Sequence, residues 1–275
     1  MDQIVKSLGD IQGPILVFGG VYSNLQALEA LFQEAQKRNI PASNVICTGD
    51  IVAYCAQPSE CISFIKQWGI HSIAGNVEIN LYQEDDDCGC NFSEGSRCDI
   101  FSRQWFPFLK DQINDKEIEW LQSLPHFLEF SYSEKNFFVL HGSYDNTSEF
   151  IFKSSPWEIK KRIFQAVKAD VILSGHCGLP FYQQKDQKLW LNAGVIGMPA
   201  NDGTPRVWFA ILNDEGRDFS FEILPLNYDY HKAAKFIEDK PLPQTYKDTL
   251  KSGIWDNCEI LPIEEADLQG IEIKF

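Results

Sequence analysis

The sequence is most constrained by a repeated pattern in which an apolar run ends at a glycine that adjoins a side chain able to bind a metal ion. Glycine allows a sharp backbone turn and the close approach of another group. One Asp, one Asn and two His form an oxygen and nitrogen donor set that suits divalent transition metals. Each pair alone is more often structural, but four in succession predict a metal centre: Gly49-Asp50, Gly75-Asn76, His141-Gly142 and Gly175-His176.

Short apolar segments alternate with segments of helical periodicity through the first half of the chain, which predicts an α/β fold with a mostly parallel sheet. Ligands of such sheets bind beyond the carboxyl ends of the strands, where Asp50 and Asn76 fall. The pattern predicts strands at 14–18, 44–47, 71–74, 127–132, 137–140, 171–173, 190–193, 206–212 and 219–224. It predicts helices at 25–32, 59–68, 100–110, 115–124, 157–167, 231–238 and 244–251.

The charge balance limits the partners of this 275-residue chain. It has 39 acidic and 24 basic residues, for a net charge of −15. Such a field repels the backbone of a long nucleic acid, whereas a small phosphorylated substrate remains compatible because a bound metal inverts the local charge. We find no apolar run of membrane-spanning or signal-peptide length and therefore expect a cytoplasmic protein without a membrane partner. Its eight cysteines are then expected to be reduced thiols.

The order of these pairs resembles that of calcineurin-like metallophosphoesterases, and most closely their small prokaryotic phosphodiesterase branch. The family pattern is D-x-H, then G-D, G-N-H-[DE], H and G-H-x-H. Two longer stretches carry the resemblance to the branch: Gly49-Asp50-Ile51-Val52-Ala53-Tyr54-Cys55-Ala56-Gln57-Pro58 and Asn192-Ala193-Gly194-Val195-Ile196-Gly197-Met198-Pro199. The resemblance covers about residues 15–212. It implies a four-layer α/β/β/α sandwich with mixed sheets.

The resemblance also implies a metal site and its catalytic residues. In the family a bridging Asp, an Asn and two His hold the second of two metal ions, and they fall on Asp50, Asn76, His141 and His176. We therefore expect at least one ion of Mn, Fe, Zn or Ni. Asp50 and His141 are the predicted catalytic residues, together with Tyr22, whose phenol is able to donate a hydrogen bond.

The first metal of the family lacks most of its usual ligands here. The Asp and His of the first motif and the last His of the fourth fall on Gly20, Tyr22 and Gly178. The family's leaving-group acid falls on Val77. A clamp of the attacking and leaving oxygens between two ions cannot be built from these residues. Tyr22 is a candidate to fill the vacated space, with a merely structural plug as the alternative.

Other residues are candidates for the substrate or for a rebuilt metal site. Asn76, Tyr54 and Cys55 are predicted to bind substrate, as is Arg103, since arginine forms bidentate contacts with phosphate. The simpler interpretation is that Arg103 is a charged residue of the protein surface. Thiolates favour zinc or iron, but free cysteine is also a common core residue. The cysteines that could converge on the strand ends are Cys55, Cys88, Cys90, Cys98 and Cys177.

Three functions remain open from the sequence. The first is a metal-dependent hydrolase of a small phosphomonoester or phosphodiester with one retained metal site. The second is an inactive relative that binds a metal or phosphate ligand, and the third is a repurposed enzyme with cysteine in its metal site. We predict one metallophosphoesterase domain over residues 1–228 and a helical extension over 229–275 packed on it.

Overall fold

The computed structural model describes residues 4–90 and 92–275. Two mixed β-sheets lie face to face, and helices cover both outer faces, which confirms the predicted four-layer α/β/β/α sandwich. The strands are β1 (Val5–Asp10), β2 (Ile15–Phe18), β3 (Val45–Cys47), β4 (His71–Ser72), β5 (Phe127–Tyr132), β6 (Lys135–Val139), β7 (Val171–Ser174), β8 (Pro180–Lys185), β9 (Lys188–Ala193), β10 (Val207–Asp214) and β11 (Phe219–Leu226).

One sheet has six strands in the order β1-β5-β6-β7-β9-β8, and the other has five in the order β11-β10-β2-β3-β4. Strands β2, β3 and β4 run parallel, as do β6, β7 and β9. The helices are α1 (Leu25–Lys37), α2 (Pro58–Trp68), α3 (Asn76–Tyr82), α4 (Arg97–Gln112), α5 (Asp115–Gln122), α6 (Trp157–Val167), α7 (Tyr230–Glu238), α8 (Gln244–Ser252) and α9 (Ile263–Ala266).

The alternation of side chains along β2 shows why the sheets stack. Ile15 and Val17 face the core between the sheets, whereas Leu16 and Phe18 pack against the helices outside. A strand buried on both faces reads as a continuous apolar run, which is the signal that the sequence carries at this point. Helix α6 covers the outer face of the six-stranded sheet, and α1, α2, α4, α7 and α8 contribute to the cluster outside the other sheet.

Two strands and two helices were not predicted from the sequence, and one of these helices is the short α9. Strand β1 is almost entirely exposed, so burial imposes no apolar alternation on it. Strand β8 begins at Pro180 and is mostly polar, which is typical of an edge strand. Helix α3 begins directly at Asn76, within a segment where we predicted only the end of a strand.

The segment after β11 joins the same body of packed residues. Ala234 and Ile237 of α7 are fully buried in the cluster that also contains α1. Beyond α8, the chain passes over the carboxyl ends of the strands, where Trp255 donates a hydrogen bond from Nε1 to the Pro199 carbonyl at 2.7 Å. None of the helices in the described part of the chain is both long and apolar enough to span a membrane.

Candidate metal centre and adjacent cavity

Four strand ends from both sheets meet at one point. Asp50 follows β3 and Asn76 follows β4 of the five-stranded sheet, whereas His141 follows β6 and His176 follows β7 of the six-stranded sheet. One ligand atom each of Asp50, His141 and His176 lies within 4.8 Å of the others. The structure thus brings together all four residues that the sequence predicted as metal ligands, in a buried position.

The approach of these residues requires close backbone packing. Asp50 and His176 adopt positive φ angles of 58° and 61°, which turn the chain sharply after the strands. A Cβ atom on Gly75 would lie 2.1 Å from Asp50 Oδ1, so any larger residue would push Asp50 away. Gly75 has an ordinary φ of −86°, and its role is therefore steric.

In their neutral forms, the two imidazole rings present unprotonated nitrogens to the centre. His141 donates from Nδ1 to the Thr48 carbonyl at 2.7 Å, and His176 donates from Nε2 to the Ser148 carbonyl at 3.1 Å. Because a carbonyl only accepts, these contacts fix the tautomers and leave lone pairs on His141 Nε2 and His176 Nδ1. These two nitrogens are 3.2 Å apart.

Two oxygen atoms lie close to these nitrogens, so that four hydrogen-bond acceptors meet at the centre. Asp50 Oδ2 and Asn76 Oδ1 each lie 3.2 Å from His141 Nε2. The amide of Asn76 is oriented by its donation to the Cys88 carbonyl at 2.8 Å and the Cys90 sulfur at 3.2 Å. Four acceptors facing one another repel unless a proton or a cation lies among them. The donor set therefore fits a divalent transition-metal ion.

The pKa values follow from the same geometry. Burial, together with the neighbouring His141, lowers the pKa of His176 to about 3, so its lone pair is free at neutral pH. For His141, burial favours the neutral ring, but the Asp50 carboxylate outweighs this effect and raises its pKa. Burial opposes ionisation of Asp50 too, yet His141 holds the pKa of that carboxyl below its ordinary value.

Glu78 was not identified from the sequence, although it stands at the acidic position of the third family motif. Its carboxylate accepts hydrogen bonds from the backbone N–H groups of Asp50 at 2.9 Å, Gly75 at 2.8 Å and Val52 at 3.1 Å. It thereby ties two of the ligand-bearing turns together. Burial, with the nearby Asp50 carboxylate, raises the pKa of Glu78 to about 7.

The other predicted site residues have different positions. Tyr22 and Tyr54 line a cavity next to Asp50 and His176, and their rings meet edge to face with centroids 4.7 Å apart. Cys55 is buried, with its thiol 3.8 Å from the Gly197 carbonyl, and does not line that cavity. Arg103 is exposed and pairs with Asp99 of its own helix at 3.0 Å, so the structure does not bring it to the site.

The candidate cysteines lie around the site rather than among the converging ligands. Among the described residues, the group of potential metal-ligating side chains contains Asp50, His141 and His176 and no cysteine. Cys90, Cys98 and Cys177 line the cavity. Burial raises the pKa of Cys90 well above its ordinary value and that of Cys177 to about 12, which favours neutral thiols.

A two-sheet sandwich with a buried Asp, Asn and two His at its strand ends defines the class of metal-dependent phosphoesterases. The profile of the calcineurin-like phosphoesterase superfamily domain matches residues 14–215 of this chain. The chain therefore belongs to the calcineurin-like phosphoesterase superfamily.

Individual proteins are similar to this chain over most of its length. An uncharacterized protein of Methanocaldococcus jannaschii is 25% identical over 260 residues, which are 88% of this chain and 99% of that protein. The crystal structure of a metallophosphoesterase from Sphaerobacter thermophilus is similar with a TM-score of 0.69 at 22% identity, covering 89% of this chain and 100% of that one. A protein of Pyrococcus horikoshii has a TM-score of 0.73 at 19% identity, covering 87% and 98%. The two structures support the fold alone.

Proposed function

We propose that this protein is a hydrolase that uses one divalent transition-metal ion to cleave a small phosphomonoester or phosphodiester. The observation that carries the proposal is the convergence of four acceptor atoms from Asp50, Asn76, His141 and His176 in a buried site. Membership of the phosphoesterase superfamily supports the reaction class.

Some of these residues would hold the ion, and others would act on the substrate. When bound, such an ion supplies a Lewis acid that polarises a phosphoryl oxygen and acidifies water. Asp50 contributes the negative charge among the four ligands, and the carbonyls of Thr48 and Ser148 keep the imidazoles in the binding tautomer. Val77 cannot donate a proton to the leaving group. Tyr22 is the proposed donor because it lines the cavity beside Asp50 and His176, and burial raises the pKa of its phenol, which is therefore protonated at neutral pH.

The test combines metal content with turnover. Protein purified without oxygen is expected to contain about one ion per chain and to hydrolyse bis(4-nitrophenyl) phosphate or 4-nitrophenyl phosphate. His141→Ala is expected to weaken metal binding more than about 100-fold, since loss of even an outer partner of a metal ligand costs 10–100-fold. His231→Ala is the matched control, because His231 is exposed at the start of α7. Hydrolysis that survives His141→Ala unchanged would refute the proposal.

A protein that binds a phosphorylated ligand without turning it over is the second candidate. It is favoured by Gly20, Val77 and Gly178, which stand where the family pattern has two metal ligands and a leaving-group acid. Protein with one ion per chain that binds but does not hydrolyse either nitrophenyl ester would support this candidate. Turnover that depends on the metal and on His141 would exclude it.

A metal site rebuilt with cysteine makes a different prediction for metal content. Because Cys90 accepts from the amide of Asn76 rather than facing the other ligands, Cys88→Ser and Cys90→Ser are expected to retain one ion per chain. Loss of the ion, together with loss of a thiolate-to-metal absorption band, would favour the rebuilt site. Metal analysis and an anaerobic absorption spectrum decide between them.

A further inference from the structure

A cavity of about 120 Å³ opens directly beside Asp50 and His176. Its walls are dominated by aromatic rings that come from widely separated parts of the chain. Tyr22 contacts Tyr54 edge to face, Tyr54 contacts Tyr246 at 5.4 Å between centroids, and Tyr246 contacts Phe101 at 5.5 Å. Across the cavity, Phe150 stacks on the His176 ring at 4.1 Å, and Trp255 closes the side nearest Gly178.

Two glycines lie beside two of these rings, and one of them is required for the position of its ring. A Cβ atom on Gly20 would lie 2.5 Å from the Tyr22 ring. An aspartate at position 20 would therefore collide with Tyr22 in its present position. A Cβ atom on Gly178 would point at the Trp255 ring at 3.5 Å. Both glycines stand where the family resemblance puts ligands of the first metal. The space of that metal is therefore occupied by aromatic walls.

The segment that carries Trp255 is fastened to the start of α4. Arg97 forms a bidentate ion pair with Asp256, with one N–O distance of 2.8 Å, and its guanidinium lies 4.8 Å from the centre of the Phe101 ring. The Cys98 N–H donates to Glu259 at 3.2 Å, and its thiol to Asn257 at 3.4 Å. The cavity is thus shaped by contacts between residues about 160 positions apart in the chain.

The charges around the cavity select a ligand of low negative charge. Among the described residues, no lysine or arginine lines it, and its charged side chains are the carboxylates of Asp50 and Asp256. Asp256 is paired with Arg97, and the buried Glu78 adds further negative character behind Asp50. A divalent ion next to Asp50 retains one net positive charge, which a phosphodiester monoanion neutralises. A phosphomonoester dianion would leave buried, uncompensated negative charge, which is costly.

The size of the cavity limits the organic group. A cavity of about 150 Å³ in another protein takes up benzene, which is close to the present volume. Aromatic rings also favour edge-to-face contacts with further rings. We infer that the substrate is a phosphodiester monoanion with one single-ring aromatic substituent, held between Trp255, Phe101 and Phe150 while its phosphoryl group lies at the four metal ligands. This inference rests on the proposed metal site and narrows its substrate class.

Equilibrium binding tests the inference without requiring turnover. Titration calorimetry at pH 8 on the Mn²⁺-loaded protein compares methyl phenyl phosphate, dimethyl phosphate and phenyl phosphate. The first two are monoanions that differ in the ring, and phenyl phosphate carries the ring as a dianion at this pH. Methyl phenyl phosphate is expected to bind at least 10-fold more tightly than either of the others.

Variants at the ring wall locate the effect. Trp255→Ala is expected to lower the affinity for methyl phenyl phosphate about 10-fold and that for dimethyl phosphate less than 2-fold, while Trp255→Phe retains most of the preference. Phe236→Ala is the matched control, since Phe236 is 41% exposed on α7 and away from the cavity. Equal affinities for the two monoanions, tighter binding of phenyl phosphate, or no binding of any probe by metal-loaded protein would overturn the inference.

The outcome is separable from that of the proposed function. The expected binding pattern without metal-dependent hydrolysis of methyl phenyl phosphate would uphold the aromatic site and refute the hydrolase. Metal-dependent hydrolysis without a preference for the ring would uphold the hydrolase and refute the aromatic site. Retention of metal by Trp255→Ala and Trp255→Phe, measured on the same samples, ensures that both comparisons concern a folded and loaded protein.

Discussion

Replacement of Gly75 by alanine tests whether backbone proximity sets the geometry of the metal centre. The new methyl group would lie 2.1 Å from Asp50 Oδ1 and 2.7 Å from Asp50 N. Since contacts shorter than about 3.3 Å between such atoms are repulsive, the Asp50 carboxylate must move by about 1.2 Å. Metal–ligand distances tolerate about 0.2 Å, so a shift of the whole carboxylate also carries Oδ2, the oxygen that faces the other candidate ligands, out of its original position.

The expected result is a loss of metal affinity of at least 10-fold, which is the smaller effect seen when support of a ligand is lost. Competition with a fluorescent chelator measures the affinity, and thermal unfolding of the same samples measures stability. Gly69→Ala is the control, because Gly69 ends α2 with a φ of 73° and a Cβ there meets no atom within 4 Å among the described residues. It should lower stability by about 1 kcal/mol through backbone strain and leave metal affinity unchanged.

The reasoning would be refuted if Gly75→Ala bound metal within 2-fold of the unaltered protein. The φ of −86° at Gly75 suits an alanine, so a loss of affinity cannot be ascribed to the backbone angle itself. The two variants thus separate a steric effect on the site from a conformational effect on the fold.

Three further changes test other parts of the structure. Tyr22→Phe keeps the ring and removes the proposed proton donor, so kcat is expected to fall about 100-fold with KM nearly unchanged in steady-state assays of a phosphodiester; a larger change in KM would instead indicate a role in binding. In Glu78→Gln, the amide N–H would face one of the three backbone N–H groups that the carboxylate now accepts from, so the free energy of unfolding in urea titrations should fall by about 2 kcal/mol. An unchanged free energy of unfolding would refute the role of Glu78 in holding the two turns together. Lys160→Met should cost about 3 kcal/mol by the same assay, because the three N–H groups of the buried ammonium lie within hydrogen-bond distance of four oxygens. The exposed Lys161→Met, as control, should cost less than 0.5 kcal/mol, and equal effects of both changes would contradict this account.

Much of the central fold could be predicted because burial imposes a periodic pattern of apolar residues on the sequence. Strands β2, β3 and β7 are buried throughout and helix α6 has one apolar face, so their positions agree with the sequence pattern within a few residues. The exposed β1 and the polar edge strand β8 show no such pattern, because both polar and apolar residues are tolerated at solvent-exposed positions. Their pairing depends on partners that lie far away in the chain.

The residues of the candidate metal centre could be identified in the sequence because each of them directly follows a strand. Adjacent parallel strands end at one edge of a sheet, so the pattern places Asp50 beside Asn76 and His141 beside His176, whereas the meeting of the two pairs depends on how the two sheets stack. The direction of a side chain after such a turn is not a local property. Cys55 lies five residues after Asp50, yet it faces the core.

The periodicity of the sequence by itself therefore determined the alternation of strands and helices, and the resemblance of its motifs to calcineurin-like phosphoesterases supplied the family, the four layers and the four candidate ligands. Only the tertiary structure decided what surrounds those ligands. The tautomers depend on carbonyls at Thr48 and Ser148, and the aromatic cavity depends on Trp255 meeting Gly178. These contacts join distant segments whose packing no local pattern encodes, and they shape the surroundings of the candidate metal site.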